Sequence, residues 1–308
     1  MAESTIQAAA PGIAAPGARP GRRSRSLRRA LQWAGVLPFG VYVALGLAAP
    51  TIAIAIAAFK NPDTGSFTLS NIRLATEGSY LPGLRNGILL AIASAIVPGI
   101  FGLLIAYAIH TAKRGRLLRQ IVITASGVFA NFGGVPLAFL FIAALGTTGV
   151  VTGWLSDLGW DPWNHGFTLY DPVGVFVVYM YFQIPLMVLV ILPALEGLRP
   201  AWREAAENLG AGTRQYWRHV GGPVLFPAFL GCVLLLFGSA FSAYATAEAL
   251  TGGTVAITSI QIGALENGNV LAGQQNVGYA LGLFMVVIIG IVMIFYTILQ
   301  RRAARWLR

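Results

Sequence analysis

The sequence predicts an all-α integral membrane protein with six transmembrane helices. Of its 308 residues, 56% are hydrophobic and 10% are charged, whereas about 25% of the residues in a soluble domain are charged. The charges are gathered in short clusters between six long uncharged runs. Each run is long enough to cross a hydrocarbon core, which takes about 20 helical residues. The runs are continuously apolar rather than alternating, which favours helices over a transmembrane barrel.

The chain divides into a tail and one membrane domain. Residues 1–30 contain no aromatic side chain and are rich in Ala, Pro, Gly, Ser and Arg, so we expect a disordered basic tail. The first apolar run, 33–59, is too long for the apolar core of a signal peptide, so it should remain as a helix. Residues 31–308 then form a six-helix domain, with helices at about 33–59, 86–109, 120–145, 172–195, 223–247 and 275–299.

The basic residues indicate how the chain is oriented in the membrane. The N-terminal tail, residues 110–119, the loop 196–222 and the C-terminal tail share one side and carry 18 of the 21 Lys and Arg residues. Because basic residues concentrate on the cytoplasmic side of membrane proteins, we expect these loops and both termini to be cytoplasmic. The net charge of +10 then reflects topology rather than nucleic-acid binding, and the expected surroundings of the chain are a lipid bilayer.

The last cytoplasmic loop contains a predicted helix–turn–helix element. Ala205, Ala206 and Leu209 share one helical face. Gly210 can end that helix in a left-handed conformation, and Pro223 suits the first turn of the next membrane helix. A second short amphipathic segment lies between them, at Tyr216, Trp217 and Val220. Such an element can dock into a groove on a soluble partner; the alternative is an ordinary amphipathic loop.

The same stretch carries a motif with fixed spacing. It begins with Glu-Ala-Ala at 204–206, has a glycine four residues later at Gly210, and continues with a branched apolar residue, Val220, and a proline, Pro223. This pattern resembles the EAA loop of permease subunits of binding-protein-dependent ABC importers. One position departs from the family, because Gly222 stands where the family usually has Leu. The resemblance covers most of the chain after the N-terminal tail.

The resemblance implies the type I, MetI-like permease fold, a place in the bacterial cytoplasmic (inner) membrane, and three kinds of protein partner. These partners are cytoplasmic ATP-binding subunits, a second permease subunit that completes a hetero- or homodimer, and an external solute-binding protein. ATP would be bound by the partner subunits, and we expect no cofactor on this chain. The residues that would couple the loop to the ATPase are Glu204, Ala205, Ala206, Leu209, Gly210, Ala211, Tyr216, Trp217, Val220 and Pro223. The members expected to fill a groove of the ATPase are Leu209, Ala211, Tyr216 and Trp217.

Three further segments resemble parts of this superfamily. Leu84–Gly87, at the start of the second helix, is similar to the Leu-x-Asn-Ser opening, with glycine in place of serine. Val135–Phe139 and the glycines Gly146 and Gly149 look like the branch that serves polyamines, phosphonates, sulfate, molybdate and ferric iron. Within this branch, polyamine and aminoethylphosphonate permeases look most similar. The resemblance therefore implies a small polar solute of this kind.

Polar uncharged residues interrupt three of the apolar runs. Helices that break near Gly and Pro often line a transport pathway, because the freed backbone groups need water or a ligand. The alternative is that these polar side chains hydrogen-bond to neighbouring helices and only hold the bundle together. The candidates for the substrate path are Asn131, Gln183, Ser239, Ser242 and Tyr244.

The sequence lacks the motifs of several other functions. It has no P-loop for ATP and no HExxH, CxxC or GxSxG motif, so we expect no catalytic residue and no enzyme activity on this chain. Its three histidines lie in predicted loops or at membrane boundaries, and its one cysteine lies in an apolar run, so we expect no metal site. A self-contained secondary transporter or channel, and a membrane enzyme, are the alternatives to an importer subunit. The predicted helix centres contain no acidic residue, which disfavours a proton-coupled transporter.

Overall fold

The computed structural model describes part of the chain, and the predicted tail, residues 1–30, lies outside it. The described residues are 37–306, apart from 79, 113–115, 269–273 and 275. The chain divides into two compact units, and the boundary between them falls between Ala53 and Ile54. This boundary lies inside the first described helix, α1 (Leu37–Ala58).

Six segments of the described chain are long and apolar enough to cross a membrane. The helices that follow α1 are α2 (Ser70–Thr76), α3 (Leu81–Thr111), α4 (Arg116–Asn131), α5 (Val135–Leu145), α6 (Val150–Asp157), α7 (Pro172–Glu196), α8 (Pro200–Asn208), α9 (Thr213–Ser242), α10 (Ala245–Thr251), α11 (Thr258–Glu266) and α12 (Val277–Trp306). The six segments are α1, α3, α5 with α6, α7, α9 and α12. No β-strand occurs among the described residues, and the predicted all-α fold with six membrane helices is confirmed.

The third predicted helix, 120–145, is divided in the structure into α4 and α5. Gly134 adopts a φ of 76°, in the region of positive φ that favours glycine. Pro136 in the first turn of α5 has no N–H group with which to continue the hydrogen bonds of α4. The N–H of Gly134 donates instead to the hydroxyl of Thr246 in α10, at 2.8 Å. The break is therefore fixed by a contact with a distant part of the chain, which sequence periodicity does not show.

The fifth predicted helix, 223–247, begins and ends earlier in the structure. Helix α9 starts at Thr213, within the predicted loop, and it ends before Ala243, where the backbone becomes extended. The carbonyl oxygen of Ala243 accepts hydrogen bonds from the hydroxyls of Tyr179, at 3.0 Å, and Ser259, at 3.1 Å. These two side chains satisfy a backbone acceptor that the end of the helix leaves without a helical partner.

Helices α3 and α7 form the centre of the second unit, and α9 packs against both of them. Gly102 of α3 lies so close to α7 that a Cβ atom there would be 2.5 Å from Met187 Cβ and 2.8 Å from the carbonyl oxygen of Ile184. Small residues allow such close approach of helix backbones in membranes. Residues at the ends of α3 and α7 lie beside the loop that leads into α9. The predicted coupling element is therefore at this end of the bundle.

Candidate functional site

Helix α8 and the turn after it form the first half of the predicted coupling element. Pro200 occupies the first turn of α8, where its missing N–H group costs no hydrogen bond. Gly210 has a φ of 80°, so its predicted left-handed conformation is observed. The N–H of Gly210 donates to the carbonyl of Glu207 and the N–H of Ala211 donates to the carbonyl of Ala206, both at 2.9 Å. This is the paired hydrogen bonding with which a glycine closes the C-terminus of a helix.

The second half of the element leads into the membrane without interruption. The N–H of Gly212 donates to the side chain of Gln215 at 2.9 Å, which caps the start of α9. A π-helical turn over Trp217–Gly221 follows. A Cβ atom at Gly221 would lie 2.9 Å from the Trp217 ring, so only glycine allows the turn to pack this closely. The turn and the rest of α9 thus form one continuous helical segment.

An apolar groove separates α8 from the start of α9. Its cavity volume is about 440 Å³, and its walls include five of the ten predicted coupling residues. These five are Ala205, Ala206, Leu209, Val220 and Pro223. The side chain of Leu209 is 88% exposed at the edge of the groove, and Glu204 is also exposed. Ala205, Ala206 and Leu209 therefore lie on one side of α8 and its turn, as predicted, and they line an open groove.

The structure corrects the expectation for the two aromatic coupling residues. Tyr216 is only 6% exposed, and Trp217 is half-buried. The Trp217 ring meets the ring of Tyr107 in α3 edge to face, with 5.4 Å between the centroids. Tyr216 is therefore not an exposed anchor for a groove on another protein, and the ring of Trp217 is partly covered by this chain. Sequence reasoning missed Tyr107, because its contact joins residues too far apart in the chain to leave a local signal.

Three of the predicted pathway residues meet in a second cavity at the break between α4 and α5. Its volume is about 260 Å³, and its walls include Asn131, Ser239 and Tyr244, together with Thr246. The Asn131 amide donates to the carbonyl of Gly127 at 2.9 Å, and this bond leaves the side-chain oxygen as an acceptor. None of the residues that line the cavity is charged. The cavity therefore offers hydrogen-bond donors and acceptors without a fixed charge.

The other two pathway candidates do not line this cavity. Gln183 is fully buried, and its amide donates to the carbonyl of Leu236 at 2.8 Å. It joins α7 to α9, as expected from the packing alternative. Ser242 donates to the carbonyl of Gly238 in its own helix at 2.9 Å. Among the described residues, no group of three or more His, Cys, Asp and Glu side chains is arranged to hold a metal ion.

Comparison with protein families identifies a match over most of the membrane domain. The family model described as "Binding-protein-dependent transport system inner membrane component" matches residues 99–305. These residues include the helix break, the groove, the π-helical turn and both cavities described above. The match therefore covers every part of the candidate site.

Three individual proteins match the chain at 25% to 32% sequence identity. The chain is 25% identical over 185 residues to the inner membrane ABC transporter permease protein YdcU of Escherichia coli. The aligned segment covers 56% of this chain and 58% of that protein. It is 32% identical over 165 residues to the sulfate transport system permease protein CysT of Escherichia coli, 53% of this chain and 56% of that protein. It is 26% identical over 174 residues to the thiamine transport system permease protein ThiP of Brucella abortus, 54% of this chain and 30% of that protein. The matched part is thus less than two thirds of the length of each of these relatives.

A solved structure supports the fold. The crystal structure of a bacterial ABC transporter involved in the import of the acidic polysaccharide alginate contains a chain that superposes with a TM-score of 0.68. The superposition covers 92% of this chain and 99% of that chain, at 19% sequence identity. At this identity the likeness establishes the shared fold alone.

Proposed function

Because the chain belongs to the family of binding-protein-dependent transport system inner membrane components, we propose that it is the permease subunit of an ABC importer. In this proposal it pairs with a second permease subunit, receives a solute from an external binding protein and is driven by cytoplasmic ATP-binding subunits. The loop between α7 and α9 and both termini lie in the cytoplasm, on the side that the basic residues predict. The observation that carries the proposal is this loop: a short helix, a left-handed glycine turn and an open apolar groove.

In this proposal the loop transmits movements of the ATPase to the membrane helices. Leu209 and the groove beside it supply an apolar surface for the ATPase, and Glu204 supplies a carboxylate at the edge of that surface. The closed turn at Gly210 fixes α8 relative to the start of α9. The contact between Trp217 and Tyr107 then ties this start to α3. A displacement of α8 by the ATPase would thus reach two membrane helices, α9 through the backbone and α3 through the aromatic rings.

The cavity at the helix break is the proposed substrate path. Ser239 lies on α9, whereas Asn131 lies on α4, so a movement of α9 changes the distance between two walls of the cavity. Amide and hydroxyl groups in the walls would hydrogen-bond a small polar solute, and they do not select the sign of its charge. Val135–Phe139 resembles the branch that serves polyamines, phosphonates, sulfate, molybdate and ferric iron, and within this branch polyamine and aminoethylphosphonate permeases look most similar. We therefore propose a polyamine or an aminoethylphosphonate as the solute. The external binding protein would then supply most of the selection.

The proposal is tested by transport in a reconstituted system. The chain, a permease partner and a candidate ATPase would be incorporated into lipid vesicles, with a candidate binding protein and a radiolabelled polyamine on the outer side. Uptake that requires both ATP and the binding protein is expected. ATP-independent uptake by the chain alone would contradict the importer reading and would indicate a secondary transporter or channel. Failure with polyamines but uptake of another solute would contradict only the proposed solute.

A further inference from the structure

A third cavity lies on the opposite side of α8 from the apolar groove. Its volume is about 410 Å³, and it is bounded by the ends of α3 and α7 and the starts of α8 and α9. The groove is lined by Ala205, Ala206 and Leu209 of α8 and its turn, whereas this cavity is lined by Pro200 and Arg203. The two cavities therefore occupy different faces of one helix. A ligand in the third cavity would contact α8 without covering the surface proposed for the ATPase.

The third cavity has an apolar inner part and a cationic rim. Leu195 is buried, Leu198 and Trp217 are half-buried, and all three line the cavity. Arg199, Arg203 and His110 line it as well, but these three side chains are exposed. The apolar surface therefore lies deep in the cavity, and the two arginines and His110 lie at its mouth.

The two arginines at the rim have unused hydrogen-bond donors. The Arg199 guanidinium lies over the ring of Trp202, 5.9 Å from its centroid, and makes no hydrogen bond among the described residues. Arg203 donates its Nε–H to Glu207 at 3.0 Å, and its Nη groups have no partner in the described chain. The hydrogen bond to Glu207, and then the charge of that carboxylate, raise the pKa of Arg203 above its ordinary value. Each guanidinium has donors to spare for the oxygens of a phosphate group.

A third polar group lies deeper in the same cavity. Tyr216 is 6% exposed and contributes to the cavity wall. Its hydroxyl has no hydrogen-bond partner among the described residues, so it can donate and accept hydrogen bonds with a ligand. Its ring packs against the Trp217 ring, with 5.5 Å between the centroids. The cavity thus holds an unused hydroxyl between the apolar inner part and the arginines.

We propose that this cavity binds an anionic phospholipid, with its phosphate at Arg199 and Arg203 and its glycerol region at Tyr216. The position supports this ligand, because the cavity lies where the membrane-spanning helices α3 and α7 end. A soluble anion would use the arginines alone, whereas a phospholipid also matches the apolar inner part. Basic pockets between membrane helices are known sites for anionic headgroups. The bound lipid would brace α8 against α3 and α7 on the side away from the groove.

Native mass spectrometry of the full chain in detergent tests this proposal. Dioleoyl phosphatidylglycerol would be titrated against dioleoyl phosphatidylcholine, and retained adducts counted. We expect one tightly held phosphatidylglycerol and no equivalent phosphatidylcholine adduct. The double variant Arg199→Gln with Arg203→Gln should weaken the binding of this lipid about thirtyfold, since each basic residue near a membrane surface contributes about a fivefold factor. The matched control, Arg214→Gln with Arg218→Gln, removes the same charge from exposed positions of the same element and should leave the adduct unchanged.

Four results would overturn the proposal. The first is an adduct of parental strength in the Arg199 and Arg203 variant. The second is equal retention of phosphatidylcholine, which would show that the charge is not recognised. The third is displacement of the lipid by millimolar inorganic phosphate or glycerol phosphate, which would identify a site for a soluble anion. The fourth is loss of the adduct when the ATPase joins the complex, which would assign the cavity to the protein contact. The Tyr216→Phe variant removes only the hydroxyl, so a weakened adduct there would support the proposed position without a change in fold.

Discussion

Replacing Gly210 by valine should weaken the attachment of the ATPase by a predictable amount. The φ of Gly210 is 80°, and a residue with a Cβ atom pays about 1–2 kcal/mol to adopt a left-handed conformation. No atom lies within 4 Å of the position that the Cβ would take, so the effect is confined to the backbone. A penalty of this size lowers the ratio of native to non-native turn about 5- to 30-fold. If the ATPase binds only the native turn, its apparent affinity falls by up to this factor, and by the full factor where the non-native turn predominates in the free variant.

The assay is titration of the purified ATPase onto the permease in detergent, with the amount of permease in the membrane measured in parallel. Gly212→Val is the matched control, because Gly212 has a φ of −73° and its Cβ position is also open. Gly210→Asn should recover part of the affinity, since asparagine tolerates the left-handed conformation better than valine. Parental affinity in Gly210→Val, or an equal loss in Gly212→Val, would refute the reasoning from backbone strain.

The remaining predictions concern the path, the packing and the orientation. Asn131→Leu should lower uptake without lowering the amount of protein in the membrane, and an equal fall of both quantities would indicate a packing role instead. Gly102→Ala should destabilise the bundle by about 1–3 kcal/mol, as overpacking usually does, whereas Gly127→Ala, with open space around its Cβ position, should leave the thermal unfolding temperature in detergent nearly unchanged. A cysteine placed at Asn164 should react with an impermeant reagent in intact cells and one at Gly212 should not; labelling of the second position would reverse the orientation.

The sequence was sufficient for the parts of the structure that depend on local composition. The six apolar spans follow from hydropathy, and the turn at Gly210 follows from the position of a glycine after an amphipathic helical face. The helix break before α5 was harder to predict from the sequence. Its glycines and proline are visible in the sequence, but the hydrogen bond from Gly134 to Thr246 that fixes it spans 112 residues.

The contacts that local sequence patterns do not determine are all between distant segments. Tyr216 and Trp217 have the composition of docking anchors, yet they pack beneath the loop because Tyr107 on α3 lies within reach. Gln183 has the composition of a pathway residue, yet its amide is used by the backbone of α9. In each case the choice between an internal and an external partner depends on which helix lies opposite, and this is a property of the fold rather than of the local pattern.

The central claim is that the groove beside α8 is where an ATPase acts on this chain, and Leu209 tests it most directly. Burial of a leucine side chain contributes about 1.5–3 kcal/mol, so Leu209→Glu should lower the affinity of the ATPase at least tenfold and abolish substrate-stimulated ATP hydrolysis. Leu158→Glu is the control, because Leu158 is 82% exposed outside this loop and should keep both values. Parental ATPase affinity and parental stimulated hydrolysis in Leu209→Glu would contradict the account.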